Sequence, residues 1–232
     1  MTIKKAMILA AGFGKRMLPL TAKIPKPLIK IGPKNLLERT IELLIKIGVN
    51  EIVINTHYLS KKIDSFLETK TYKISINVIK EEALLDTGGG ILNATKNFKN
   101  DPFFVLNPDT IWNKNYYEEL KILENSYLEN NKPILLLVHK TNSYDKSFRG
   151  DFNFTENNHI SRGTNNQFIF TGAQIINRFI FESIKKKVFS MNEVWDQMIK
   201  EKKMLGQESN QTFFHVNNFK VYKELNKIKF ID

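Results

Sequence analysis

The sequence predicts an α/β fold with a mixed, mostly parallel sheet flanked by helices. Three observations carry this. Short β-rich runs alternate with amphipathic stretches, several of the runs are apolar on both faces, and a glycine-rich loop follows the first of them. Strands covered by helices on both sides read as continuous apolar runs, as in a parallel sheet. "KKAMILA" (4–10) is the first buried strand, and the glycine loop leaves its end. "NLLERTIELLIKIG" (35–48) has helical spacing and ends on Gly48, a plausible C-cap. "EIVINT", "LSKKIDSFLE" and "ISINVIK" then read as strand, helix and strand. "TGGGILNATKNF" reads as a turn opening into a helix, and "PFFVLNPD" as a strand with a loop at its end. "NYYEELKILENSYLEN" is helical, and "PILLLVHK" is a strand apolar on both faces. Beyond about residue 140, "RGDFNFTENNHISR" and "QFIFTGAQII" suggest antiparallel or edge strands, followed by helices over 178–186 and 192–203. "TFFHVNNFKVYKELNKI" is expected to be a last strand leading into a last helix.

Composition narrows the function classes. At 232 residues and 42% apolar, one domain with a substantial core is expected. No apolar run approaches the roughly 20 residues that span a bilayer, so no membrane partner is expected. The apolar patch in "MTIKKAMILAAG" is too short for a signal peptide and runs directly into the glycine loop. With no cysteine there is no disulfide, thiolate metal site or thiol nucleophile, which suits a cytoplasmic protein. The formal charge of +11 comes from lysines scattered through "KKIDSFLETKTYK", "IKKKVF" and "KEKKM" rather than interleaved with aromatics. Such lysines read as solvated helix faces, and no nucleic-acid partner is expected.

The chemistry concentrates in "LAAGFGKRMLPLTAKIPKPL" (9–28). Leu9, Ala10 and Ala11 deliver the chain to the carboxyl end of the first strand, where open α/β sheets bind ligands. Gly12 and Gly14 permit close backbone approach to a phosphate. Met17 stands where a dinucleotide fingerprint would place its third glycine, and Lys15 and Arg16 crowd the turn. Arg16 is a permanent planar cation suited to phosphate oxygens, and Lys26 is presented from a segment stiffened by Pro25 and Pro27. These charges fit a substrate whose phosphates depart, because neutralising them then matters in the transition state. In "LLDTGGGI", the glycines suggest a floor for a nucleoside, and Glu81 is a candidate acceptor for a base N–H. Asp109, just beyond an apolar strand, is a natural Mg²⁺ ligand, since that ion takes one or two carboxylates plus substrate phosphate oxygens.

The loop resembles the signature of the sugar-1-phosphate nucleotidyltransferases, G-x-G-x-R-x-x-P-L-T followed by P-K-P. Gly12, Gly14, Arg16, Pro19, Leu20, Thr21, Pro25, Lys26 and Pro27 match in register. The resemblance implies a Rossmann-like, GT-A-type fold and a nucleoside triphosphate and a sugar 1-phosphate as partners. It implies one domain over 1–232, with a nucleotide-binding half (1–140) and a sugar-binding half (141–232). Arg16, Lys26 and Asp109 carry over as catalytic residues. Leu9 to Gly12, Gly14, Lys15, Glu81, Thr87, Gly88 and Gly89 fall in the nucleotide site. Asn107, Gly150, Asp151, Thr171 and Gly172 fall in the sugar site. "L-x-T-G-G-G", "R-G-D-F" and "F-x-G" resemble the short N-acetylmuramate 1-phosphate uridylyltransferases of peptidoglycan recycling, which favours UTP. Mannose-1-phosphate guanylyltransferase, glucose-1-phosphate thymidylyl- or uridylyltransferase and a non-catalytic nucleotide-sugar-binding regulator are the alternatives. A monomer or homodimer is expected.

Two departures stand out. Pro108 replaces a usual Gly or Ser, and "FHVNNFK" puts His215 where the family has its second metal-ligating Asp. A neutral imidazole can ligate metals although Mg²⁺ prefers oxygen, so ligand and structural roles both stay open for His215.

Overall fold

The structure, a computed structural model, describes residues 2–228. Seven strands form one sheet: β1 (Lys5–Leu9), β2 (Glu51–Thr56), β3 (Ser75–Lys80), β4 (Phe103–Leu106), β5 (Ile134–His139), β6 (Phe168–Ile176) and β7 (Leu205–Ser209). Their spatial order is β7-β5-β6-β4-β1-β2-β3. β1 pairs in parallel with β2 and β4, β2 with β3, and β5 with β7. β6 runs antiparallel to both β4 and β5, so the sheet is mixed with a parallel majority.

The period of two along each strand divides the core into two layers. Ala6 and Ile8 of β1 face the helices α1 (Leu36–Lys46), α2 (Ser60–Glu68) and α4 (Tyr116–Asn130), packing with Leu37, Ile41, Ile63 and Leu120. Met7, between them, faces the opposite layer of α3 (Asp86–Ala94) and α5 (Met191–Lys200), with Ile91, Val194 and Trp195. Local signals agree with these helices. Asn35 caps α1 by accepting from the Glu38 amide, and Ser190 and Glu193 form a capping box at the start of α5. A third, smaller cluster joins Met17, Ile29, Leu36 and Ile111 to Val216 and to Val221 and Leu225 of α6 (Phe219–Leu225). That cluster fixes the glycine loop to the body of the protein.

Three expectations are corrected. The last strand is Leu205–Ser209, while 212–217 makes only isolated bridges, Ser143 with Phe213 and Thr110 with His215. Leu205–Ser209 escapes notice because "LGQES" lacks an apolar run, yet burial against β5 compensates. The stretch 178–186 forms a single 3₁₀ turn, Arg178–Phe181, because Asn177 caps it locally and nothing amphipathic continues it. The glycines 88–90 lie inside α3 rather than in a turn before it.

Candidate active site

A cleft of about 680 Å³ opens at the carboxyl ends of β1, β2 and β4. Brought together in it are Leu9, Ala10, Ala11, Gly12, Gly14, Lys15, Arg16 and Lys26 from the first loop, with Glu81, Thr87, Asn107 and Asp109 from three later segments. Arg16 and Asp109, far apart in the sequence, thus line the same cleft.

The loop is built as three 3₁₀ turns, Lys15–Met17, Leu20–Ala22 and Lys26–Leu28. Met17, in the place of a third glycine, is fully buried and anchors the loop from below. Gly14 must be glycine on two counts. Its φ is +64°, and a Cβ there would stand 2.9 Å from Thr21 Cγ2 and 3.1 Å from Lys26 Cβ. The Thr21 hydroxyl donates to the Gly14 carbonyl at 2.9 Å and cinches the loop. At Gly12, by contrast, a Cβ would meet nothing of the protein within 4 Å. Phe13 packs on His57 and Tyr58, and the Tyr58 hydroxyl donates to the Thr21 carbonyl at 2.9 Å.

At the cleft floor, Lys26 Nζ donates to Asp109 Oδ2 at 2.5 Å, and His215 Nε2 lies 3.5 Å from the same oxygen. Burial alone would raise the Asp109 carboxyl, but the facing charges of His215 and Lys26, with the Lys26 hydrogen bond, outweigh it and hold the group at about 2. Burial lowers the His215 imidazole; Asp109 opposes that effect, while Lys26 and Arg16 reinforce it. Asp109 is therefore ionised near pH 7. Asp109 Oδ1 is buried without a hydrogen-bond partner.

Sequence reasoning missed Asn55, which organises the other wall. Its Oδ1 accepts from the Ala10 amide at 2.9 Å, and its Nδ2 donates to Glu81 Oε1 at 2.7 Å. Glu81 Oε2 accepts from the Leu85 amide at 3.2 Å. Both carboxylate oxygens are thus oriented from within, and the Ala10 amide is committed to Asn55. The available signal was a polar residue at the carboxyl end of an otherwise apolar strand. Asn217, which also lines the cleft, donates to Asp145 Oδ2 at 2.7 Å.

Other expected site residues do not line the cleft. The Gly88 and Gly89 amides both donate to the Phe189 carbonyl, at 3.0 and 3.1 Å. A Cβ on Gly88 would fall 2.4 Å from the Phe189 ring, and one on Gly89 would fall 2.2 Å from the Lys187 carbonyl oxygen. These glycines admit the 187–189 segment rather than forming a nucleoside floor, and Thr87 and Asp86 face the cleft instead. Gly150, at φ +84°, lies against the Asn166 backbone, and Asp151 fastens the segment to β6. The Asp151 amide donates to the Phe168 carbonyl at 2.6 Å, its carboxylate accepts from the Phe170 amide at 2.9 Å, and burial raises its pKa. Thr171 is fully buried, donating to the Leu136 carbonyl at 2.8 Å. Gly172, at φ +95°, supports Asn107 from behind, accepting from its amide at 2.8 Å.

Among the described residues no helix is long and apolar enough to cross a membrane, and no three His, Asp or Glu side chains cluster as a ready-made metal site. A cation here would need oxygens from a substrate to complete its shell, as Mg²⁺ with a triphosphate does. The orphaned Asp109 Oδ1 fits that need.

Residues 5–145 match the family model of the nucleotidyl transferases. The chain is 39% identical over 110 residues to the mannose-1-phosphate guanylyltransferase catalytic subunit beta of Dictyostelium discoideum, covering 46% of this chain and 31% of that protein. It is 38% identical over 113 residues to the N-acetylmuramate alpha-1-phosphate uridylyltransferase of Caulobacter vibrioides, covering 47% of each. The match thus spans less than half the length of either relative. A crystal structure of UDP-glucose pyrophosphorylase complexed with UDP-glucose shares the fold, with a TM-score of 0.82, 18% identity and 97% of each chain covered.

Proposed function

The chain belongs to the nucleotidyl transferase family, and on that premise we propose that it joins UTP to N-acetylmuramate 1-phosphate, releasing pyrophosphate, in peptidoglycan recycling. The observation that carries the transfer chemistry is the convergence of Arg16, Lys26 and Asp109 on one cleft. A phosphate oxygen of the sugar 1-phosphate attacks the α-phosphorus in line, a new P–O bond forms, and the bond to the β-phosphate oxygen breaks. A phosphate dianion is already a nucleophile, so no general base is needed.

Arg16 and the Gly12–Gly14 backbone hold the departing β- and γ-phosphates. Lys26 neutralises charge at the α-phosphate or the incoming sugar phosphate. Asp109 would hold a divalent cation, Mg²⁺ being the usual partner of triphosphate oxygens. When bound, that ion supplies further neutralisation of phosphate charge. Glu81, its carboxylate aimed by Asn55 and the Leu85 amide, accepts from a base N–H. Positioning and fixed charge supply the rate.

The choice of sugar and base is supported by the uridylyltransferase relative and by the "TGGG", "RGDF" and "FTG" elements. The Dictyostelium relative favours a second reading, GTP with mannose 1-phosphate. Pyrophosphate release is measured with ATP, CTP, GTP, TTP and UTP against muramyl, glucosyl and mannosyl 1-phosphates. The fastest release is expected with UTP and N-acetylmuramate 1-phosphate. A maximum with GTP and mannose 1-phosphate establishes the second reading, and no release from any pair defeats both.

A further inference from the structure

Consecutive glycines weaken a helix, and Gly88, Gly89 and Gly90 do so in α3 without lining the cleft. What they admit is a strap, residues 187–191, laid across the start of the helix. The Phe189 carbonyl accepts from the Gly88 and Gly89 amides at 3.0 and 3.1 Å, and the Phe189 amide donates to the Leu85 carbonyl at 3.2 Å. The Met191 amide donates to the Thr87 hydroxyl at 2.8 Å. The Phe189 ring is buried, 5.9 Å from that of Phe181 between centroids. Held between these anchors, Val188 is 55% exposed and lines the cleft.

Apolar surface left open to water in a cleft gains free energy when a ligand covers it. The neighbours of Val188 say which part of a ligand that is. Arg16, Lys26 and Asp109 belong to the phosphate end, and an isopropyl group offers charged oxygens no hydrogen bond. The strap instead reaches Glu81 through a single intermediate residue. The Phe189 amide bonds to the Leu85 carbonyl, and the Leu85 amide bonds to Glu81 Oε2 at 3.2 Å. A planar base whose edge meets Glu81 turns a face toward an apolar neighbour at that wall.

We propose that Val188 is a nucleotide-binding residue whose isopropyl group packs on the face of the nucleoside base, and that the α3 glycines act by seating it there. This rests on the reading of the cleft as a triphosphate site with the base at Glu81. A face contact is indifferent to the identity of the base, so Val188 supplies affinity while edge contacts such as Glu81 make the choice.

The test titrates UTP, GTP, inorganic tripolyphosphate and N-acetylmuramate 1-phosphate, each with Mg²⁺, into the full chain by calorimetry. Val188→Ala is expected to weaken whichever nucleotide binds by about fivefold or more, leaving tripolyphosphate and the thermal midpoint unchanged. In methyl-labelled wild type, the Val188 methyls are expected to show nuclear Overhauser contacts with the ring protons of the bound base. Unchanged nucleotide affinity in Val188→Ala, an equal loss for tripolyphosphate, a loss confined to the sugar phosphate, or no such contacts overturns the assignment and leaves the transfer reading standing. Binding of GTP without UTP overturns the choice of UTP, and the GTP arm then judges Val188 by the same fold-change. Wild type that binds neither nucleotide overturns both readings.

Discussion

Each charged residue at the cleft floor is held by a neighbour whose removal has a separable consequence. Arg16→Ala is expected to fold as wild type does, whereas Asp109→Ala is expected to fold with a lower melting temperature, because it leaves the part-buried Lys26 ammonium without its carboxylate. Loss of one such electrostatic contact costs about 10²–10³-fold in turnover; circular dichroism with a pyrophosphate assay separates the two effects. His215 adds a pH dependence. Burial first, against the pull of Asp109, depresses its folded pKa below the ordinary 6.5. The unfolded chain thus binds the proton more readily, and the stability due to neutral His215 is lost as pH falls below that value. Urea titrations from pH 8 to pH 5 are expected to show wild type losing more stability than His215→Gln. The Asp109 contribution behaves differently: with a folded pKa of about 2 against an ordinary 3.8, it is lost only between those two values. It therefore stays constant across the same titration.

At the level of elements, the two glycine-bearing segments do opposite work. In α3 the glycines let the 187–189 chain lie against the helix, so Gly89→Ala sets a methyl 2.2 Å from a backbone oxygen. Overpacking of that kind costs about 1–3 kcal/mol, against about 1 kcal/mol gained in helix propensity. The backbone cannot rotate away as a flexible side chain could, so the clash wins and a lower melting temperature is expected. Gly12→Ala meets nothing in the protein. Its melting temperature should match wild type while pyrophosphate release falls, because the methyl occupies the space through which a phosphate approaches. Equal turnover in Gly12→Ala and wild type would remove the phosphate-cradling role from that residue.

Across the whole molecule, the sheet sets a gradient of stability that places the cleft near its rigid centre. β1 and β4 are central and buried, whereas β3 is an edge strand of alternating intermediate and exposed residues. Amide exchange is accordingly expected to be slowest in Lys5–Leu9 and Phe103–Leu106 and faster in Ser75–Lys80. Faster exchange in β1 than in β3 would contradict this ordering. Because Arg16 and Asp109 leave the ends of the two adjacent central strands, β1 and β4, their spacing is fixed by the most protected part of the fold.

The sequence by itself determined the α/β class and, among the described residues, where the six α-helices lie apart from their ends, although it also placed over 178–186 a helix that is a 3₁₀ turn; it singled out the first loop as well. Those features are local: strand runs, helical periodicity, and a cluster of glycine, arginine and proline-flanked lysine within 20 residues. The tertiary structure alone decided what depends on distant partners. Only packing turned "LGQES" into a strand, gave the α3 glycines to Phe189 and Lys187, and withdrew Thr171 and Asp151 from the cleft. Only packing brought Asn55 to Glu81, whereas the resemblance had already put His215 at the family's second metal-ligating position. A residue's type announces which chemistry it can do, whereas its neighbours across the sheet fix which atoms are already satisfied and which still face a ligand.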